Sequence, residues 1–93
     1  MALYAAFLKN TDHEAVFEYL QAHIDYLADL RNKGVVLANG RLLEGWGGIV
    51  LYRGDGLEEV RALVERDPFV LHGIRGYELF EWDVRWSPVV EIQ

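Results

Sequence analysis

The chain has 93 residues, 52% of them hydrophobic and 13% aromatic, with a net charge of −6 and no cysteine. That length holds one domain, read here as residues 1–93. The acidic balance disfavours nucleic acid and anionic membrane surfaces as partners, and the missing cysteines remove disulfides, thiol nucleophiles and zinc–thiolate sites.

The opening segment MALYAAFLKN lacks a basic leader and a cleavage segment, so residues 2–8 are read as a strand buried on both faces rather than as a signal peptide. No run approaches the ~18 apolar residues of a membrane span, and a cytoplasmic location is expected. TDHE follows, where Thr11 and Glu14 have the spacing of a capping box. From there to Gly34 the chain has no glycine or proline, and Val16, Leu20, Ile24, Leu27 and Leu30 recur at helical spacing. VVLANGRLL, 35–43, is a strand with Asn39-Gly40 marking a turn or strand end. GWGGIVLYRG, 45–54, is the next strand. DGLEEVRALVERD is a second helix, opened at Asp55 or Gly56, with Leu57, Val60, Leu63 and Val64 on its buried side and Asp67-Pro68 as its stop. YELFEWDVRW, 77–86, alternates as a half-exposed final strand whose pattern slips near Phe80, as at a bulge. SPVVEIQ reads as a tail.

The order β-α-β-β-α-β specifies an α+β fold: a ferredoxin-like plait with an antiparallel sheet and two helices on one face. The other sheet face is then bare. A small domain hides only part of its surface, and the apolar share here is more than one such core can hide. Pairing of two bare faces as a homodimer, a dimeric α/β barrel, would cover it.

Few residues can carry chemistry. His23 falls within the apolar stripe of the first helix, so its ring points toward the sheet. It is either a core histidine donating to a backbone carbonyl or a general acid/base suited to neutral pH. Asp67 is either a helix terminator, since the residue before proline is held extended, or the partner that orients His23 and fixes its tautomer. In the second case a carboxylate oxygen lies within ~2.6–3.2 Å of a ring nitrogen. His13 and His72 read as surface residues. Three scattered histidines without i, i+4 pairing give no metal site. EGWGGIV, 44–50, is not a dinucleotide-binding fingerprint, so no cofactor is expected. Ser87 is the lone serine and sits in the tail.

AHIDYLADLRNKGVVLANGRL, 22–42, and ALVERDPFVLHGIRGYELFEWDV, 62–84, together make the chain resemble the YciI-like (YCII-related) domain family. Asp67-Pro68-Phe69 is the most specific match. The resemblance implies a dimeric α/β barrel of ferredoxin-like protomers with a His–Asp site between sheet and helices, and it maps that site onto His23 and Asp67. It also implies a fold like that of muconolactone isomerase, and relatives acting on muconate-like ring-cleavage products. Two positions depart from the family pattern. Leu20 stands where an arginine often precedes the histidine, and Gly40-Arg41-Leu42 replaces Gly-Pro-Leu. Arg41 is the residue that would replace the lost charge in binding a substrate carboxylate. The function that follows is cofactor-free proton transfer by His23 and Asp67 on a small organic acid or lactone. The rival is a non-catalytic dimeric module that binds a small molecule or supports another protein.

Overall fold

The computed structural model of the chain describes residues 2–12 and 14–89; His13 and the last four residues of the tail lie outside it. Seven elements follow in order: β1 (Ala2–Asn10), α1 (Val16–Asn32), β2 (Val36–Arg41), β3 (Gly47–Gly54), α2 (Leu57–Arg66), α3 (Pro68–Leu71) and β4 (Arg75–Trp82). The four strands form one antiparallel sheet in the order β2-β3-β1-β4. This is the expected plait, with its two crossover helices on one face.

Alternation along β1 sorts its side chains. Tyr4, Ala6 and Leu8 point at the helices and are buried with Val50 and Tyr52 of β3. Leu27 and Leu30 of α1 and Val60 and Val64 of α2 complete that core. The odd-numbered residues Leu3, Ala5 and Phe7 point the other way. They pair in register with Trp82, Phe80 and Glu78 of β4. Phe80 and Trp82 are about half exposed there.

Several local expectations change. Thr11 does not cap α1. Its hydroxyl donates to the carbonyls of Gly73 and Ile74, at 2.8 and 3.0 Å, tying the end of β1 to the start of β4. Asp12 instead accepts from the Glu14 and Ala15 amides, each at 3.1 Å. At its other end α1 stops as expected: Gly34 takes φ +74°, and Val35 N–H reaches back to Leu30 O at 2.9 Å. Of the two readings of Asn39-Gly40 the strand end holds and the turn does not: both residues pair with β3, opposite Val50 and Ile49, and β2 stops at Arg41. The chain reverses later, at Leu42–Gly47, where Gly45 has φ +87° and donates to Leu42 O. The bulge is in β2, between Val36 and Ala38, while β4 runs in unbroken register past Phe80. β4 also begins at Arg75, before Tyr77, and ends at Trp82, before Trp86.

The stripe on α1 divides in two. Leu27 and Leu30 are buried, but Leu20 and Ile24 remain 37% and 44% exposed because they face an open cavity rather than the sheet. Among the described residues no helix is long and apolar enough to cross a membrane.

A candidate active site at the end of the second helix

Pro68 ends α2 and at the same time begins α3, a single turn that the sequence reading treated only as a stop. Asp67 has φ −58° and ψ 126°, the extended backbone required before proline. That geometry turns its side chain back over the new helix start, where Oδ1 accepts the Phe69 amide at 3.0 Å. Pro68 occupies the first helical position, where its missing N–H costs nothing. Gly73 closes the turn with φ +70°, and Ile74 N–H donates to Phe69 O at 2.9 Å. Both backbone polar groups of Phe69 are therefore satisfied within this turn, and its ring is fully buried.

His23 comes to this turn from the middle of α1. Its Nδ1 lies 2.8 Å from Asp67 Oδ1 and 3.0 Å from Oδ2. Since Oδ1 also accepts from Phe69, the carboxylate acts as acceptor throughout and Nδ1 carries the hydrogen. The imidazole stacks on Phe69, with ring centroids 4.1 Å apart and planes 18° from parallel. Asp67 is completely buried and His23 is 9% exposed. Two contacts, one polar and one stacking, thus fix the ring plane and the tautomer together. Nε2 has no hydrogen-bond partner among the described residues, and His23 lines a cavity of about 660 Å³ between α1, the β2–β3 ribbon and α3. That size suits a small organic ligand. Leu20, Ile24 and Leu42 give it an apolar wall.

Of the residues singled out from sequence, His23 and Asp67 are brought together and Arg41 lines the same cavity. Arg41 is the last residue of β2, and its side chain is exposed. His72 is exposed and stacks on Tyr19, with centroids 4.3 Å apart, and makes no hydrogen bond to the dyad. Among the described residues no three His, Asp or Glu side chains gather to hold a metal ion.

Two polar residues of the cavity belong to no motif of the sequence, Asn10 and Arg75. They pair across β1 and β4, and Arg75 Nε donates to Asn10 Oδ1 at 2.7 Å. Its guanidinium carbon lies 4.4 Å from the centroid of the Phe69 ring. Burial pushes the pKa of Arg75 down, against the pull of the Asp67 charge. One signal was available: Arg75 directly follows the His72-Gly73-Ile74 helix stop. Its partner, however, is 65 positions away. Beneath the dyad, Tyr52 is fully buried, and its hydroxyl finds no partner among the described residues. Burial, followed by the nearby Asp67 and Tyr26, raises its pKa.

The fold is shared with a solved enzyme, the 5-chloro-2-hydroxyhydroquinone dehydrochlorinase of Burkholderia phenoliruptrix AC1100, determined in complex with 2,5-dihydroxybenzoquinone. The two superpose with a TM-score of 0.74 over 87% of this chain and 93% of that one, at 22% sequence identity. No protein with a curated description matches the chain. The family model of the YCII-related domain matches residues 2–83. That span runs from the first strand, through the helix carrying His23 and the Asp67-Pro68 break, to the end of the sheet, and the chain belongs to the YCII-related domain family.

Proposed function

We propose that the chain is a cofactor-free acid/base enzyme acting on a small organic acid or lactone of the muconate kind. The observation that carries this reading is the His23 imidazole, held through Nδ1 by a buried carboxylate while Nε2 is left without a protein partner beside an apolar cavity. In this arrangement Nε2 accepts a proton from a carbon next to a carbonyl. The imidazolium that forms is stabilised by Asp67, and the same nitrogen returns the proton to a second atom of the substrate. Stacking on Phe69 keeps the ring from swinging between the two positions. Arg41, at the rim, draws in the acid group of the substrate. The similar fold of an enzyme whose name states that it acts on a small oxygenated ring supports a ligand of that size.

We also infer that the chain acts as a homodimer, joined through the sheet face opposite the helices, where β1, β3 and β4 present apolar side chains.

The test is hydrogen exchange at carbon. Muconolactones, dienolactones and muconates are incubated with the protein in deuterium oxide and followed by proton NMR. At least one should exchange or isomerise, and His23→Gln should slow it by about a hundredfold or more. If no compound reacts, or His23→Gln reacts equally fast, the proton-transfer reading fails and the cavity is a binding site only.

A further inference from the structure

Arg75 is a half-buried cation with no carboxylate partner among the described residues. Asp67, the acid whose charge it feels, already holds His23 and the Phe69 amide. A guanidinium partly removed from water and left without a counter-charge is costly unless something anionic comes to it.

Its surroundings decide which edge remains available. Asn10 is fixed at three points: its backbone N–H donates to Trp46 O at 2.7 Å, its Nδ2 to Gly45 O at 3.1 Å, and its Oδ1 accepts from Arg75 Nε at 2.7 Å. The β2–β3 turn therefore anchors Asn10, and Asn10 aims Arg75. With Nε engaged, the side-on fork through Nε is blocked. The end-on edge remains, two parallel N–H groups on Nη1 and Nη2, which make no hydrogen bond among the described residues. Those two donors match the two oxygens of one carboxylate. Gly48 stands beside them: a β-carbon there would lie 3.4 Å from Nη1 and 2.7 Å from Gly40 O. Both Arg75 and His23 lie against the Phe69 ring and line the same cavity.

We propose that Arg75, aimed by Asn10 and seated on Phe69, is the carboxylate-binding residue of the His23 cavity, so that the ligand is a flat apolar body bearing one carboxylate. The carboxylate meets the guanidinium end-on, and the body lies along Leu20 and Ile24 within reach of Nε2. This deepens the function proposed above and rests on that reading of the cavity as the ligand site. It assigns the main anion contact to Arg75, because the Arg41 charge is exposed and screened by solvent.

The test is binding, not turnover. 2,5-Dihydroxybenzoate and its neutral amide, 2,5-dihydroxybenzamide, are titrated into the ¹⁵N-labelled full chain and followed by NMR. The acid should bind about tenfold or more tightly than the amide. Arg75→Gln should abolish that preference and Arg75→Lys should keep part of it, which separates loss of charge from loss of fold. His23→Gln should keep the preference in full, since the subsite does not need the proton-transfer group. A failed exchange assay combined with an intact acid preference would therefore reject catalysis and leave the subsite standing. Failure of both probes to bind, equal binding of acid and amide, or a preference that survives Arg75→Gln overturns the proposal.

Discussion

Replacing Asp67 with asparagine changes one atom, and the contacts of that atom say where the imidazole proton goes. Oδ1 is pinned by the Phe69 amide at 3.0 Å, so asparagine keeps its oxygen there and its amide nitrogen takes the place of Oδ2. Nδ1 then has the retained oxygen at 2.8 Å and the new amide nitrogen at 3.0 Å. Its hydrogen can still go to that oxygen, so the tautomer stays, but the charge that stabilises the imidazolium is gone. Asp67→Asn should therefore fold normally, keep the His23 tautomer as read from ¹⁵N ring shifts, and slow any exchange activity by about a hundredfold or more. Activity equal to that of the parent chain would mean that the charge of Asp67 takes no part in the transfer. Tyr52 gives a second prediction. Its hydroxyl is buried without a partner among the described residues, so Tyr52→Phe removes an unmet polar group and should be neutral or stabilising by about 1 kcal/mol at pH 8. Burial raises the folded-state pKa of Tyr52 above the usual 10.0. The contribution of the neutral phenol is then fully present below pH 10 and is lost as pH rises toward the folded value, because the unfolded chain ionises first. In urea unfolding, the advantage of Tyr52→Phe should be larger at pH 11 than at pH 8. A constant difference would show that this phenol ionises equally readily in both states.

Glycines at the β2–β3 ribbon separate strand from turn at the scale of the element. A β-carbon on Gly40 would meet nothing within 4 Å, whereas one on Gly47 would lie 1.7 Å from the Leu8 carbonyl oxygen. Gly40→Ala should change stability by no more than about 0.5 kcal/mol, and Gly47→Ala should destabilise by about 3 kcal/mol or more by forcing β1 and β3 apart. Chemical denaturation distinguishes the two cleanly. A large loss at Gly40 would restore the turn that Asn39-Gly40 suggests from sequence. The element order was legible because its signals are local: helical spacing along α1, Gly34 as its stop, and the apolar runs of β1 and β3. The bulge at Val36–Ala38 was not, since register depends on the partner strand and not on the bulged strand alone. Four residues leave no room for periodicity, so α3 showed only in its flanking signs, Asp67 as cap, Pro68 at the first position and Gly73 after the end. Position in the helical stripe aimed His23 at the sheet, and Asp67-Pro68 marked a break, but the distance between them required the packing of α1 on α3. Arg75 was illegible for a related reason: its direction comes from Asn10, which only strand pairing brings alongside.

At the scale of the molecule the sheet face opposite the helices is more apolar than a solvated face. An antiparallel sheet with one solvated face normally alternates apolar and polar residues. β1 does not: Leu3, Ala5 and Phe7 face away from the core while Tyr4, Ala6 and Leu8 face into it. Register places Leu51 of β3 and Phe80 of β4 on either side of Ala5, and Ile49 beside Phe7. Phe7 and Phe80 already meet edge to face, with centroids 5.9 Å apart, so the patch is contiguous. Phe80 and Trp82 still expose 49% and 50% of their surface. Burying a fully exposed large apolar side chain is worth about 1.5–3 kcal/mol, and Phe80 and Trp82 are half covered already, so the whole patch on both chains is needed to offset the cost of association, which runs to about 4–15 kcal/mol. The expected occupant is a second copy of the chain, since a two-fold axis would set the same apolar rows against each other. Sedimentation equilibrium at micromolar concentration should give twice the chain mass. Leu51→Glu should give the single mass with an unchanged circular dichroism spectrum, since a charge at the centre of the interface would be buried without a partner while residue 51 takes no part in the helix-side core. A monomeric parent chain, or a Leu51→Glu variant that remains dimeric, would place the contact elsewhere or remove it.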